Sequence, residues 1–330
     1  MKIAVFDSHP YDREFLNQAN QEFQFELTYH EVRLNQDTAE LAKGSDAVCV
    51  FVNDCVDEKT LMILKTLQVK TVALRCAGFD QVDLKAADRL GIRIVRVPSY
   101  SPHSIAEHAV ALILGLNRKL CQTHDRVREG NYSLQGLLGF ELRGKTVGVI
   151  GTGAIGSAFA QIMRGFGCKL LAYDLRPNEK LASEFKIEYQ SLGDLLQHSD
   201  VVSLHLPLNA ANRNFFDARC FEKMKQGALF INTSRGPLVD THALIQSLKS
   251  GKLGYAGLDV YDKEAGHFFC DQSDQILQDD ALSRLLSFKN VLITPHQAFF
   301  TREALTEIAH TTLANIKGGS ATVGSEVHFG

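Results

Sequence analysis

Short apolar runs alternate with amphipathic stretches along almost the whole chain. In the first hundred residues "KIAVF", "FELTYH", "AVCVFV", "TVALRC" and "IRIVRV" predict strands. The intervening "DREFLNQA", "DTAELAKG", "EKTLMILKTL" and "DLKAADRLG" place apolar residues at helical spacing. Strand-helix alternation of this kind predicts a parallel, doubly wound sheet. A long helix is expected after Pro102, because Ile105, Ala109, Leu112, Ile113, Leu116 and Leu120 repeat on one face of "HSIAEHAVALILGLNRKL". From Lys145 the alternation restarts with "TVGVIG", "KLLAYD", "VVSLHLP", "ALFINTS", "YAGLDVY" and "VLITPH". A last helical pattern, "REALTEIAHTTLANIKGG", is expected to return to the first domain. The reading is therefore α/β, with two doubly wound parallel-sheet domains: a discontinuous one from residues 1–100 and 298–330, and an inserted one from 101–297. No internal repeat or low-complexity segment interrupts this pattern.

Composition narrows the function. The chain has 330 residues, 45% of them hydrophobic and 22% charged, as expected of an ordinary globular protein of about two domains. A net charge of -3 supplies no basic field for nucleic acid or an anionic membrane. The opening "MKIAVFDSHP" is too short in apolar residues for a signal-peptide core, and no run approaches the roughly eighteen expected of a membrane span; a cytoplasmic setting is expected. Seven scattered cysteines, never spaced C-x-x-C, read as reduced structural thiols, and no compact ligand cluster calls for a metal.

The segment "GVIGTGAIGSAFAQIMRGFGCKLLAYD" carries the first chemistry. Gly151, Gly153 and Gly156 follow an apolar strand and open a helix through Ala158, Ile162 and Phe166, the context in which glycines let a dinucleotide pyrophosphate approach free N-H groups. Ala154 and Ile155 belong to the same turn. Asp174 ends the next strand, where a carboxylate accepts bonds from both ribose hydroxyls and repels a 2′-phosphate, so NAD is expected over NADP. A tight turn that binds nothing, with Asp174 as a cap, is the plain structural alternative.

Ligands of open α/β sheets gather at the carboxyl ends of strands. Three residues there suit carbonyl reduction: Arg235 in "NTSRG", Glu264 after "LDVYD" and His296 in "LITPHQ". An imidazolium at His296 can give a proton to a developing alkoxide. A carboxylate at Glu264, bonded to the other ring nitrogen, would fix its tautomer. Arg235 offers a planar fork to a carboxylate and polarises a neighbouring carbonyl, so the three match an α-keto acid. Each alone also fits a surface ion pair, a loop acid or a turn histidine. His205, also at a strand end, reads as structural or cofactor-facing.

Taken together, "GTGAIG", "NTSRGPLVD", "AGLDVYDKEAG" and "TPHQAFFT" resemble the D-isomer-specific 2-hydroxyacid dehydrogenases across essentially the whole chain. "VALRCAGFDQVDL", "VPSYSPHSIAEHAVALIL" and "EAGHFFCDQSDQILQDD" are similar to the lactate-forming, fermentative branch. The resemblance implies a flavodoxin-like substrate domain and a Rossmann NAD-binding domain with a cleft between them, and reduction of pyruvate to D-lactate with NADH. It implies Arg235, Glu264 and His296 as the catalytic set, and Pro207, Thr233, Ser234 and Asp259 on the cofactor side. On the substrate side it implies backbone N-H groups of Ala77 and Gly78, with Tyr100 and Phe299 lining the pocket beside Arg235 and His296. Family members are dimers or tetramers, so a homo-oligomer is expected, with the long helix at the dimer contact. Two alternatives stay open: a relative acting on a bulkier 2-keto acid, and an NADH-sensing binding protein of the corepressor type.

Overall fold

The computed structural model describes residues 1–264, 266–318 and 324–329. It divides the chain into two compact units, one from Met1–Ser101 and the chain from Phe300 onward, the other from Pro102–Phe299.

In the first unit β1 (Lys2–Val5), β2 (Glu26–Tyr29), β3 (Ala47–Val50), β4 (Thr71–Leu74) and β5 (Arg93–Arg96) are parallel, in the order β5-β4-β3-β1-β2. Every residue of β3 and β4 is buried, as continuous apolar runs demand of strands covered on both faces. Helices α1 (Pro10–Phe23), α2 (Glu58–Thr66) and α3 (Leu84–Leu90) make crossovers. Asp57 and Asp83 cap the last two by accepting from Thr60 N and Ala86 N. "DTAELAKG" yields only a single 3₁₀ turn, Ala39–Ala42. Asn35 and Thr38 side chains bind the backbone just before it, and Gly44, at φ 82°, lies just beyond it.

The second unit opens with α4 (Pro102–Asn117), which stops short of the expected Leu120. Asn117 turns its amide to Phe140, donating to the carbonyl at 2.7 Å and accepting from the N-H at 2.8 Å, and Lys119 takes a left-handed backbone at φ 51°. A separate α5 (Leu120–Arg128) follows, with no buried residue. Then come β6 (Thr146–Ile150), α6 (Ala154–Gly165), β7 (Lys169–Tyr173), α7 (Glu179–Phe185), β8 (Ile187–Tyr189), α8 (Leu192–His198) and β9 (Val201–Leu204). After α9 (Ala218–Lys223) the unit closes with β10 (Ala228–Asn232), α10 (Thr241–Lys249), β11 (Leu253–Leu258), α11 (Asp280–Leu286) and β12 (Val291–Ile293). All seven strands are parallel, ordered β12-β11-β10-β9-β6-β7-β8, the doubly wound dinucleotide-binding arrangement with its reversal between β6 and β9. Apolar clusters on the two faces, one around Phe216, Phe221 and Phe230 and one around Phe159, Met163 and Ile113, cover the sheet.

The chain then returns to the first unit through α12 (Arg302–Lys317), which packs on α1, and β13 (Glu326–Val327), a sixth strand antiparallel to β5. Among the described residues no helix is long and apolar enough to cross a membrane, and no His, Cys, Asp and Glu group is placed to hold a metal. All seven cysteines are free thiols.

Candidate active site

Gly151, Gly153 and Gly156 form the turn from β6 into α6, at the sheet's reversal point. A Cβ on Gly156 would lie 1.9 Å from the Gly151 carbonyl oxygen, so only glycine lets the helix start this close to the strand. Gly153 caps α6 without a side-chain hydrogen bond, and a Cβ there would meet nothing within 4 Å. The start of α6, with exposed Ala154 and half-buried Ile155, is therefore uncrowded at Gly153, and a helix N-terminus of this kind suits a diphosphate.

Asp174 follows β7. Its Oδ2 accepts from Thr152 N at 2.6 Å and Thr152 Oγ at 3.0 Å, and its Oδ1 from Arg176 N at 2.9 Å. Burial raises the carboxyl pKa, but these hydrogen bonds outweigh it and hold the group below the usual carboxylate range. A permanent anion beside the glycine turn suits ribose hydroxyls.

His205, just after β9, is buried with its ring 4.8 Å from that of Phe159 and its Nε2 3.0 Å from Ser203 Oγ. Burial pushes its pKa down to about 3, so the ring is neutral. Its neighbour Pro207 is exposed and accepts from Asn212 through its carbonyl. Thr233 and Ser234 follow β10. Ser234 Oγ donates to the Leu204 carbonyl at 2.7 Å, whereas Thr233 Oγ1 is buried with no hydrogen-bond partner among the described residues.

β10, β11 and β12 are neighbours, so the loops carrying Arg235, Glu264 and His296 leave the sheet side by side. A Cβ on Gly236 would lie 2.0 Å from the Tyr261 carbonyl carbon; its absence lets the Arg235 turn abut the turn that leads to Glu264. Glu264 Oε1 accepts from Tyr261 N at 3.0 Å, and its Oε2 lies 2.7 Å from His296 Nδ1. That pair is mostly buried, with side-chain exposures of 17% and 18%, which leaves His296 Nε2 as the imidazole's outward nitrogen. Phe269 and Phe299 flank the ring, with centroids at 5.7 and 6.4 Å. The Arg235 guanidinium donates to the neighbouring Ser234 carbonyl at 2.8 Å, and among the described residues no carboxylate pairs with it.

Asp259, which the resemblance puts on the cofactor side, turns its carboxylate to the loop around His296. Buried to 1% exposure, its Oδ1 accepts from Thr294 Oγ1 at 2.6 Å and Gln297 N at 2.9 Å, and its Oδ2 from Ala298 N at 2.9 Å. Its carboxylate thus pins both sides of His296. His108, from α4, joins the network, with Nε2 3.0 Å from Thr294 Oγ1 and 3.3 Å from Asp259 Oδ1. His108 was not singled out from sequence; its place on the inward face of the AEHA turn is the one signal available. In the first unit half-buried Ala77 and Gly78 follow β4, and Tyr100 follows β5.

Residues 110–298 match the family described as D-isomer specific 2-hydroxyacid dehydrogenase, NAD binding domain. The chain is 48% identical over 316 residues to the D-lactate dehydrogenase of Escherichia coli, covering 96% of each chain. It is 51% identical to 2-hydroxyacid dehydrogenase A of Aspergillus oryzae, covering 96% of this chain and 92% of that one. A solved structure of the pyruvate reductase of Chlamydomonas reinhardtii superposes with a TM-score of 0.91 at 47% identity, covering 96% of this chain and 95% of that one.

Proposed function

The chain belongs to the D-isomer specific 2-hydroxyacid dehydrogenase family, an NAD-dependent oxidoreductase family, and we propose that it reduces pyruvate to D-lactate and so regenerates NAD in fermentation. The observation that carries this reading is the Glu264–His296 pair together with an Arg235 that no carboxylate engages among the described residues, on loops from three adjacent strands. The names of the similar proteins point to the same substrate.

The reduced cofactor, NADH, when bound, supplies from its nicotinamide the hydride that the keto carbon takes up, and leaves as NAD. The glycine turn and the α6 N-terminus hold its diphosphate and Asp174 its ribose, with Pro207, Thr233 and Ser234 along the cofactor. Asp259 acts through the loop that it pins, and the buried Thr233 hydroxyl, which has no hydrogen-bond partner among the described residues, is available to the cofactor. Arg235 binds the substrate carboxylate with its planar fork while its charge draws electron density from the adjacent carbonyl. His296 gives a proton from Nε2 to the carbonyl oxygen, and Glu264 holds the ring through Nδ1 and balances the imidazolium. Phe299 borders the methyl end. Ala77, Gly78 and Tyr100 serve the substrate from the first unit, with the two backbone N-H groups on its carboxylate.

Assembly as a homo-oligomer in the cytoplasm belongs to the same proposal. Leu120, Tyr132, Leu134 and Leu138 expose 57%, 75%, 83% and 88% of their surface around and beyond α5, an apolar stretch suited to a second copy of the chain. Light scattering at micromolar concentration reads the assembly, and a stable monomer would remove this part.

The deciding experiment follows NADH oxidation with pyruvate, 2-ketoisocaproate, phenylpyruvate and hydroxypyruvate in parallel, with chiral analysis of the product. Turnover concentrated on pyruvate and yielding D-lactate is expected. Preference for a bulkier acid keeps the mechanism and changes the substrate, and tight NADH binding without turnover indicates a cofactor-sensing protein.

A further inference from the structure

The carboxyl ends of β4 and β5 hold a cation that the chemistry above leaves unused. Arg96 is the last residue of β5 and is half-buried. Its Nη1 donates to the Ala77 carbonyl at 2.7 Å and its Nε to the Gly324 carbonyl at 3.2 Å, while its guanidinium carbon stands 5.1 Å from the centre of the Phe79 ring. The main chain beneath it is equally fixed. Arg96 N donates to the Ser325 carbonyl at 2.7 Å, and its own carbonyl accepts from Asn315 Nδ2 at 2.8 Å. One residue on, Val97 N donates to the Cys76 carbonyl at 3.1 Å, tying the β5 end to the start of the Ala77 loop. Among the described residues no carboxylate forms an ion pair with Arg96, so its charge is held by carbonyl dipoles and an aromatic face.

The Ala77 carbonyl and the Gly78 N-H belong to one peptide group. A guanidinium on that oxygen draws electron density through the amide, deepens its dipole and makes the N-H a stronger donor. The same bond fixes the plane of the peptide, and the unneutralised charge favours an anion next to it.

We propose that Arg96 is a positioning residue for the substrate carboxylate, orienting the Ala77–Gly78 peptide and strengthening its N-H toward the anion. This deepens the reading above and rests on its assignment of Ala77 and Gly78 to that carboxylate. Arg96 then governs capture of the 2-keto acid, and the proton delivered by His296 is left unaffected.

The test compares Arg96→Gln, which keeps a neutral donor, with Arg96→Lys, which keeps the charge but loses the fork between Ala77 and Gly324. Arg96→Gln is expected to raise the pyruvate KM about tenfold, the scale of a lost charge-assisted hydrogen bond, with kcat within about threefold and NADH affinity unchanged. Arg96→Lys should fall between it and the parent. Methyl pyruvate, which lacks the anionic charge, should show a much smaller KM change. An unchanged pyruvate KM in Arg96→Gln overturns the proposal. So does an equal shift for pyruvate and methyl pyruvate accompanied by lower kcat and lower thermal stability, which marks a merely structural role. If the parent protein reduces no 2-keto acid, the proposed function fails by itself. Titration of oxamate into the NADH complex, read by nicotinamide fluorescence, still decides Arg96: weaker oxamate binding in Arg96→Gln supports it and equal binding overturns it.

Discussion

His296 occupies the left-handed backbone region at φ 54°, where a residue with a Cβ stores on the order of 1 kcal/mol of strain. The surrounding bonds over-determine that conformation. Its N-H donates to the Asp259 carbonyl at 2.8 Å, and the two residues after it donate their N-H groups to the Asp259 carboxylate. The result is an imidazole whose direction is fixed from the backbone side by Asp259 and from the ring side by Glu264. A glutamine at this position keeps a polar side chain and loses the transferable proton. His296→Gln is therefore expected to lower pyruvate turnover by roughly 10²–10⁴-fold, with NADH affinity within about twofold. Steady-state rates and a fluorescence titration measure the two quantities, and near-parent turnover would remove His296 from the chemistry.

At the scale of elements, what could be read from the sequence follows from how strongly burial constrains each segment. β3, β4 and β9 are buried at every position, so their apolar runs "AVCV", "TVAL" and "VVSL" announce them. β8 has three residues at the sheet edge, with Glu188 exposed, and β13 has two; neither is long enough to show a period. The end of α4 falls before Leu120 because its last turn depends on Asn117 reaching Phe140, a contact that helical spacing cannot encode. The candidate site divides in the same way. Arg235, Glu264 and His296 stand out because parallel strands deliver their carboxyl ends to one edge of the sheet. The carboxylate of Asp259 binds main-chain donors whose direction depends on the turn around His296, and His108 arrives from a helix far away in sequence. Neither arrangement leaves a trace in residue spacing.

For the molecule as a whole, stability against acid depends on histidines folded in the neutral form. His205 is the clearest of these. Burial against Phe159 takes its pKa down to about 3, whereas the unfolded chain binds a proton near pH 6.5. A histidine with a depressed folded pKa contributes stability that is complete above the unfolded value and is lost as the pH falls from there toward the folded one. Between pH 7 and pH 5 the unfolded state takes up a proton that the folded state refuses, which costs about 2 kcal/mol. His205→Gln removes this titration while keeping a polar side chain of similar size, at some cost in packing that is independent of pH. The parent protein is thus expected to lose about 2 kcal/mol more than the variant on acidification from pH 7 to pH 5, as read from paired denaturant or thermal unfolding curves. Because the other titrating groups are common to both proteins, they cancel in that difference. Equal losses would mean that His205 takes up its proton without unfolding, and the neutral, buried ring beside the glycine turn would have to be abandoned.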